Sequence, residues 1–199
     1  MKKLAYLSVA AASAIALASP AAAQTTATGT INITGSVANK CMVVSSGGAA
    51  SSTFTDSRDL GELAQANGTL ESSGVLESRF GTSGSGAPTF RVVCTTAAPV
   101  VSVNADPLVN AAAADTGYSN TVNYTATATF ALTGGGSTPV ANVTTSATDT
   151  SATLASRLAA SGDNVTITTS LFNTDAAGAN ALMVAGSYTG KIVVTVSPI

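Results

Sequence analysis

The chain has 199 residues, six prolines, eighteen glycines and a formal charge of −2, and it contains neither histidine nor tryptophan. The missing histidine removes the commonest general base, the Ser-His-Asp triad and the usual zinc ligand set. With only 8 basic residues and no basic patch, there is nothing to grip a phosphate backbone, so nucleic acid is not an expected partner.

The first segment reads as a secretory signal peptide. Lys2 and Lys3 form a positive start, Leu4 to Ser19 is uncharged and apolar or small, and Pro20 then breaks the run. Ala21 to Ala23 supply small residues before Gln24, which places cleavage after Ala23. The expected divisions are a signal peptide over 1–23, a β extension over 24–37 and one domain over 38–199. Every later apolar run is interrupted by Thr, Ser, Asn or Gly, so no membrane span is expected in the mature chain. The mature chain carries six basic and ten acidic residues.

Gly29 to Val37 alternates, with Ile31, Ile33, Gly35 and Val37 on one face and Thr30, Asn32, Thr34 and Ser36 on the other. Cys41 to Val44 continues as a short apolar strand. The two cysteines, Cys41 and Cys94, are an even count in an exported chain, which predicts a disulfide. Asp56, Asp59 and Glu62 lack the spacing of a calcium loop, and Arg58 lies among them, so no metal is expected. Glu71 and Glu77 stand in a polar segment with no substrate platform.

Strands are predicted over Thr89 to Cys94, Val100 to Ala105 and, most clearly, Val122 to Leu132. Gly134 to Gly136 should turn the chain into a weaker segment around Val140 and Val143. Thr144 to Ala155 reads as a surface loop, and Leu154 to Ala160 and Ala111 to Ala114 as short helical turns. Val165 to Leu171 alternates, with Val165, Ile167, Thr169 and Leu171 facing one way. Tyr188 to Val196 closes the chain, with Tyr188, Gly190, Ile192, Val194 and Val196 on one face. Strands punctuated by Gly, Ser and Asn predict an all-β antiparallel β-sandwich. No constellation for catalysis stands out, and neither an enzyme nor a cofactor is expected.

Three features together resemble the spore coat protein U family, which includes the Csu-type pilins of archaic chaperone–usher systems. They are the alternating segment Gly29 to Lys40 leading into Cys41, the second cysteine in Phe90-Arg-Val-Val-Cys94, and the closing Ala185-Gly-Ser-Tyr-Thr-Gly-Lys-Ile-Val-Val-Thr-Val196. Leu60-Gly-Glu-Leu63 is similar to a family strand but lacks its aromatic residue. The closing motif also resembles the exported bacterial β proteins of domain of unknown function 4402, whose members usually have no cysteine pair.

The resemblance implies an incomplete, pilin-type immunoglobulin-like sandwich that lacks its last strand. A neighbour's N-terminal segment would fill the gap by strand addition, head to tail. The donor would be Thr25 to Val37 or part of it, with Ile31 and Ile33 as the main groove-fillers and Ala27 and Gly29 as smaller knobs. The acceptor edge would be Tyr188, Ile192, Val194 and Val196, facing the first strand. Implied partners are a periplasmic chaperone, an outer-membrane usher and other copies of the subunit. Implied localisation is export through the Sec pathway to the cell surface, with a role in adhesion or biofilm formation. Two alternatives stay open: Gly29 to Val37 pairs within its own sandwich, or the protein is a monomeric secreted binding module.

Overall fold

A computed structural model describes residues 28–45, 48–82, 86–174 and 180–199. The expected signal peptide and Ala27 lie outside the described residues. The chain divides into two units, Met1–Ser36 and Val37–Ile199. In the first, residues 28–36 form neither helix nor strand, and Ile31 and Ile33 are 88% and 92% exposed. The strand expected over Gly29 to Val37 is therefore absent. Alternation alone does not make a strand, because its backbone groups need a neighbouring edge.

The second unit is all-β. In chain order its elements are β1 (Cys41–Val44), β2 (Ala50–Ser51), α1 (Ser73–Thr82), β3 (Thr89–Cys94), β4 (Val100–Val109), β5 (Tyr118–Ser119), β6 (Thr121–Ala131), β7 (Ser137–Val143), β8 (Thr150–Thr153), β9 (Val165–Asn173), β10 (Leu182–Met183) and β11 (Thr189–Ser197). The main sheet is antiparallel and runs β11-β4-β6-β9-β3-β1-β2, with β7 paired to β6 and β8 paired to β4. It curls so that the inward faces of its strands share one core, a sandwich-like arrangement.

β6 is the corner of that curl. Thr121 and Val122 pair with β4, Thr125 to Ala131 pair with β7, and the other edge pairs with β9. Its sequence allows this because Val122, Tyr124, Ala126, Ala128 and Phe130 all point inward and are buried. The opposite face is mostly threonine, and Thr127 and Thr129 lie directly across from Thr168 and Thr166 of β9. Such β-branched pairs suit a pleated surface. Gly134, Gly135 and Gly136 all have positive φ and close the β6–β7 hairpin, a backbone path that side chains with a Cβ resist.

Two buried asparagines stand in where strand pairing stops. β4 leaves β8 after Val103 and meets β6 only at Leu108. In the gap, Asn142 of β7 accepts a hydrogen bond from Ala105 N–H at 3.0 Å and donates to Thr148 O at 2.9 Å. β3 pairs with β9 only at Thr89 and Phe90. Beyond that, Asn164 accepts from Val92 N–H at 2.8 Å and donates to Val92 O at 2.7 Å and Ala159 O at 2.8 Å. Each amide mimics a peptide unit and satisfies backbone groups that burial would otherwise leave unpaired.

The structure departs from the sequence expectations in six further places. Ser73–Thr82 is helical and buries Leu76 in the core. Thr150–Thr153 is a strand inside the expected surface loop, and Leu154 and Leu158 are core residues in non-helical chain. Ala111 to Ala114 is likewise non-helical, and so is the strand-like Leu60-Gly-Glu-Leu63, which is irregular. Leu171 does not face inward. It has φ 58° and is 67% exposed, while Phe172 takes the core position. The ladder to β6 slips here, with Asn123 opposite Asn173 and Thr125 opposite Ser170. α1 holds this bulge: Glu77 Oε1 accepts from Leu171 N–H at 3.0 Å, and Ser73 Oγ accepts from Phe172 N–H at 2.8 Å.

Cys41 and Cys94 are bonded as a disulfide and lie opposite each other on β1 and β3. The bridge links residues 53 apart, so replacing both cysteines with serine should cost about 4 kcal/mol on the chain-entropy model. Chemical denaturation of oxidised parent and variant measures it. Asn164→Ala should cost about 3 kcal/mol, because it orphans both buried backbone groups of Val92. The same substitution at the exposed Asn39 should cost no more than about 0.5 kcal/mol.

Candidate functional site

The two ends of the sheet path do not meet. β11 pairs with β4 along one edge, and among the described residues no strand pairs with its other edge. β1 pairs with β3, and β2 covers it only at Val43 and Val44. Between β11 and β1 lies an open groove with a cavity of about 630 Å³. Its walls include Cys41, Met42 and Val43 on one side and Gly190 to Val196 on the other.

β11 shapes its wall by alternation. Ile192, Val194 and Val196 turn toward the core and are half-buried, whereas Val193 is 43% exposed. The strand opens with a bulge, since Thr189 lies opposite Val109 and Lys191 opposite Asp106. Pro107 is the partner-side cause, because it has no N–H to give to the ladder. Gly190 fits against it closely: a Cβ there would come within 2.8 Å of Pro107 O. The groove therefore has no side chain at position 190.

The floor is aromatic and aliphatic. Phe90, Val92, Tyr124, Ile167 and Phe172 line it. The Tyr124 and Phe172 rings stack with centroids 5.4 Å apart. Tyr124 donates its hydroxyl proton to Asp106 O at 2.8 Å, tying the floor to the strand beside β11. Thr169 also lines the floor, and its buried Oγ1 has no hydrogen-bond partner among the described residues. Charge is sparse: Asp56 is paired with Arg58, and Lys191 lies 3.3 Å from Asp106.

Of the acceptor residues expected from sequence, Ile192, Val194 and Val196 line this groove together, and Cys41 lines the opposite wall. Tyr188 is placed apart. It precedes β11, lines a neighbouring cavity of about 510 Å³, and its hydroxyl lies 3.0 Å from Ser119 O and 2.9 Å from Val184 O. Burial raises its pKa. Of the donor residues, Gly29, Ile31 and Ile33 belong to the other unit, where Ile31 and Ile33 are exposed and nothing lies within 4 Å of the position of a Gly29 Cβ. Sequence reasoning missed Phe54, Phe80 and Phe172 as groove residues. The periodicity of β9 pointed to Leu171 instead of Phe172, and Phe54 lies in a stretch with no periodic pattern.

Asp56, Asp59 and Glu62 do not converge. Asp56 holds Arg58, Asp59 Oδ1 accepts from Gly61 N–H at 2.8 Å, and Glu62 Oε1 accepts from Ala64 N–H at 3.1 Å. Among the described residues, no group of three acidic or cysteine side chains could hold a metal, and no helix is long and apolar enough to cross a membrane.

Burial, followed by the nearby Asp106 carboxylate, raises the Tyr124 pKa well above its ordinary value. The folded state thus holds the phenolic proton more tightly than the unfolded chain, whose tyrosine titrates at about 10. This contribution is fully present below about pH 10 and is lost progressively as the pH climbs toward the folded-state value. Urea midpoints at about pH 9 and about pH 11 should show a smaller alkaline loss in Tyr124→Phe than in the parent.

Comparison of the chain with protein-family models, with curated proteins and with solved structures gave no match.

Proposed function

We propose that this protein is a non-enzymatic structural subunit of a cell-surface pilus, fimbria or coat, and that its domain is an incomplete immunoglobulin-like sandwich completed by a strand from a neighbouring copy. The observation that carries this reading is the groove: an unpaired β11 edge beside an open apolar floor. A free edge with exposed apolar residues is a liability in isolation and an attachment site in a pair.

The N-terminal segment has matching chemistry. Its alternate residues Gly29, Ile31 and Ile33 form one apolar face, and the isoleucines are exposed. β11 has nine residues, so a donor of similar length, about 30 Å extended, would run along it. Strand addition would supply main-chain hydrogen bonds for affinity and side chains for the floor.

Chain direction favours exchange between copies. Asn39 donates to Ile199 O at 2.6 Å, so the chain joins the domain beside the end of β11. A segment preceding Asn39 that paired with its own β11 would have to run parallel to it. The same segment from another copy is free to run antiparallel, the somewhat stronger pairing. A head-to-tail contact of this kind does not close, so it propagates as a fibre. The family resemblance adds a periplasmic chaperone that occupies the groove first, an outer-membrane usher, Sec-dependent export and a role in adhesion or biofilm formation.

The test is light scattering after size-exclusion chromatography on Gln24–Ile199. The parent should form concentration-dependent polymers, and Ile31→Asp/Ile33→Asp should remain a folded monomer by circular dichroism. Polymers that persist in the double variant would overturn the donor assignment. A parent that stays monomeric would point to a self-contained secreted binding module.

A further inference from the structure

β11 supplies one hydrogen-bonding edge to the groove. Over part of its length the facing side is not β1, because β2 already pairs with Val43 and Val44. Past β2 the chain continues as Ser52–Asp56, and all five of these residues line the groove. This stretch belongs to no helix or strand.

Both of its ends are fixed. Thr53 N–H donates to Ser51 Oγ at 3.1 Å, and the Ser51 hydroxyl donates to Thr53 O at 3.0 Å. At the other end the Arg58 side chain, only 10% exposed, pairs with Asp56 and donates to Gly86 O. Between these anchors, the backbone N–H and C=O groups of Phe54 and Thr55 have no hydrogen-bond partner among the described residues. The Phe54 ring lies flat on Phe90, centroids 4.7 Å apart and planes 19° apart. Phe90 is 8% exposed, but Phe54 is 44% exposed.

A length of backbone with unused donors and acceptors, held at both ends and sharing an apolar groove with a strand whose second edge is unpaired among the described residues, has the makings of a second edge. The aromatic ring beside it has one face packed and spare surface for an incoming chain. Among the described residues nothing satisfies these groups, which leaves their pairing to an occupant.

We infer that Ser52–Asp56 is the second docking edge of the groove. The occupant is the N-terminal segment of a second copy, its strand around Gly29, Ile31 and Ile33. β11 binds that strand along one side, Phe54 and Thr55 bind it along the other, and the Phe54 ring covers it. The occupant is then an interior strand, bonded on both edges, rather than a new edge strand. The inference rests on the strand-addition reading above.

Hydrogen–deuterium exchange tests it on the full mature chain carrying Ile31→Asp and Ile33→Asp, which keeps the groove but is not expected to donate. The probe is a synthetic peptide of residues 24–37 with the parent sequence. On peptide binding, exchange should slow by at least roughly ten-fold both in β11 and at the Phe54 and Thr55 amides. Protection in β11 alone would overturn the second edge and leave strand addition standing. Failure of the peptide to bind, with no protection anywhere, would overturn strand addition and this inference with it. In the same background, Phe54→Ala should release the peptide roughly ten-fold faster while circular dichroism shows the empty protein still folded. An unchanged release rate would overturn the covering role of the ring. If that variant does not fold, the exchange measurement, made with Phe54 intact, still decides.

Discussion

Among the described residues the sheet does not close on itself, and much of the molecule is arranged around that fact. β11 ends the path on one side of a groove and β1, covered by β2 only at Val43 and Val44, lies on the other, so among the described residues no strand covers the core between them. Elsewhere the same core is sealed: Val101, Val103, Ala126, Ala128, Phe130 and Val165 are fully buried. Near the groove the corresponding residues, Val43, Ile192, Val194 and Val196, are only partly buried. The difference is not one of residue type, since all are apolar. It is that no strand among the described residues lies beyond them.

Where other parts of the sheet lose a neighbour, polar side chains replace it. Asn142 and Asn164 present amides to β4 and β3 where no strand reaches them. Ser73 and Glu77 do the same for the backbone of the β9 bulge. At each of these places the buried backbone is satisfied, as a stable interior requires. The groove contrasts with them. Among the described residues, Thr169 Oγ1 on its floor and the backbone of Phe54 and Thr55 on its wall have no partner.

The strands were legible where alternation met real burial. The period of two in β6 matches burial from Tyr124 to Phe130, because both of its edges are paired there and one face is enclosed, and only Asn123 breaks it near the start of the strand. β4 and β3 follow the same logic. β9 followed it as far as Thr169 and then failed, since a single residue with positive φ exchanges the inward and outward positions of Leu171 and Phe172. That reversal is enforced by α1, a partner far away in sequence. α1 was hidden for its own reason: Gly74 and Gly81 weaken its propensity, and only Leu76 of its residues is buried. β8 is short and threonine-rich, so its role as a partner of β4 comes from position rather than pattern. The inward residues of β11 were readable, but the groove residues Phe54, Phe80 and Phe172 were not, because they come from three separate regions. Conversely, Gly29 to Val37 has a clear strand pattern and no strand, since pattern specifies a face and not the edge that must pair with it.

The groove has one more property with a consequence beyond shape. Its few charges are matched: Asp56 with Arg58, and Lys191 with Asp106. The remaining walls are aliphatic, aromatic or hydroxyl-bearing. Mobile ions screen interactions between charges and leave hydrogen bonds and apolar burial largely untouched. A contact made in this groove is therefore nearly blind to ionic strength, equally firm in fresh water and in brine. Salting-out anions would tighten it slightly by favouring apolar burial, and only denaturant or heat would loosen it.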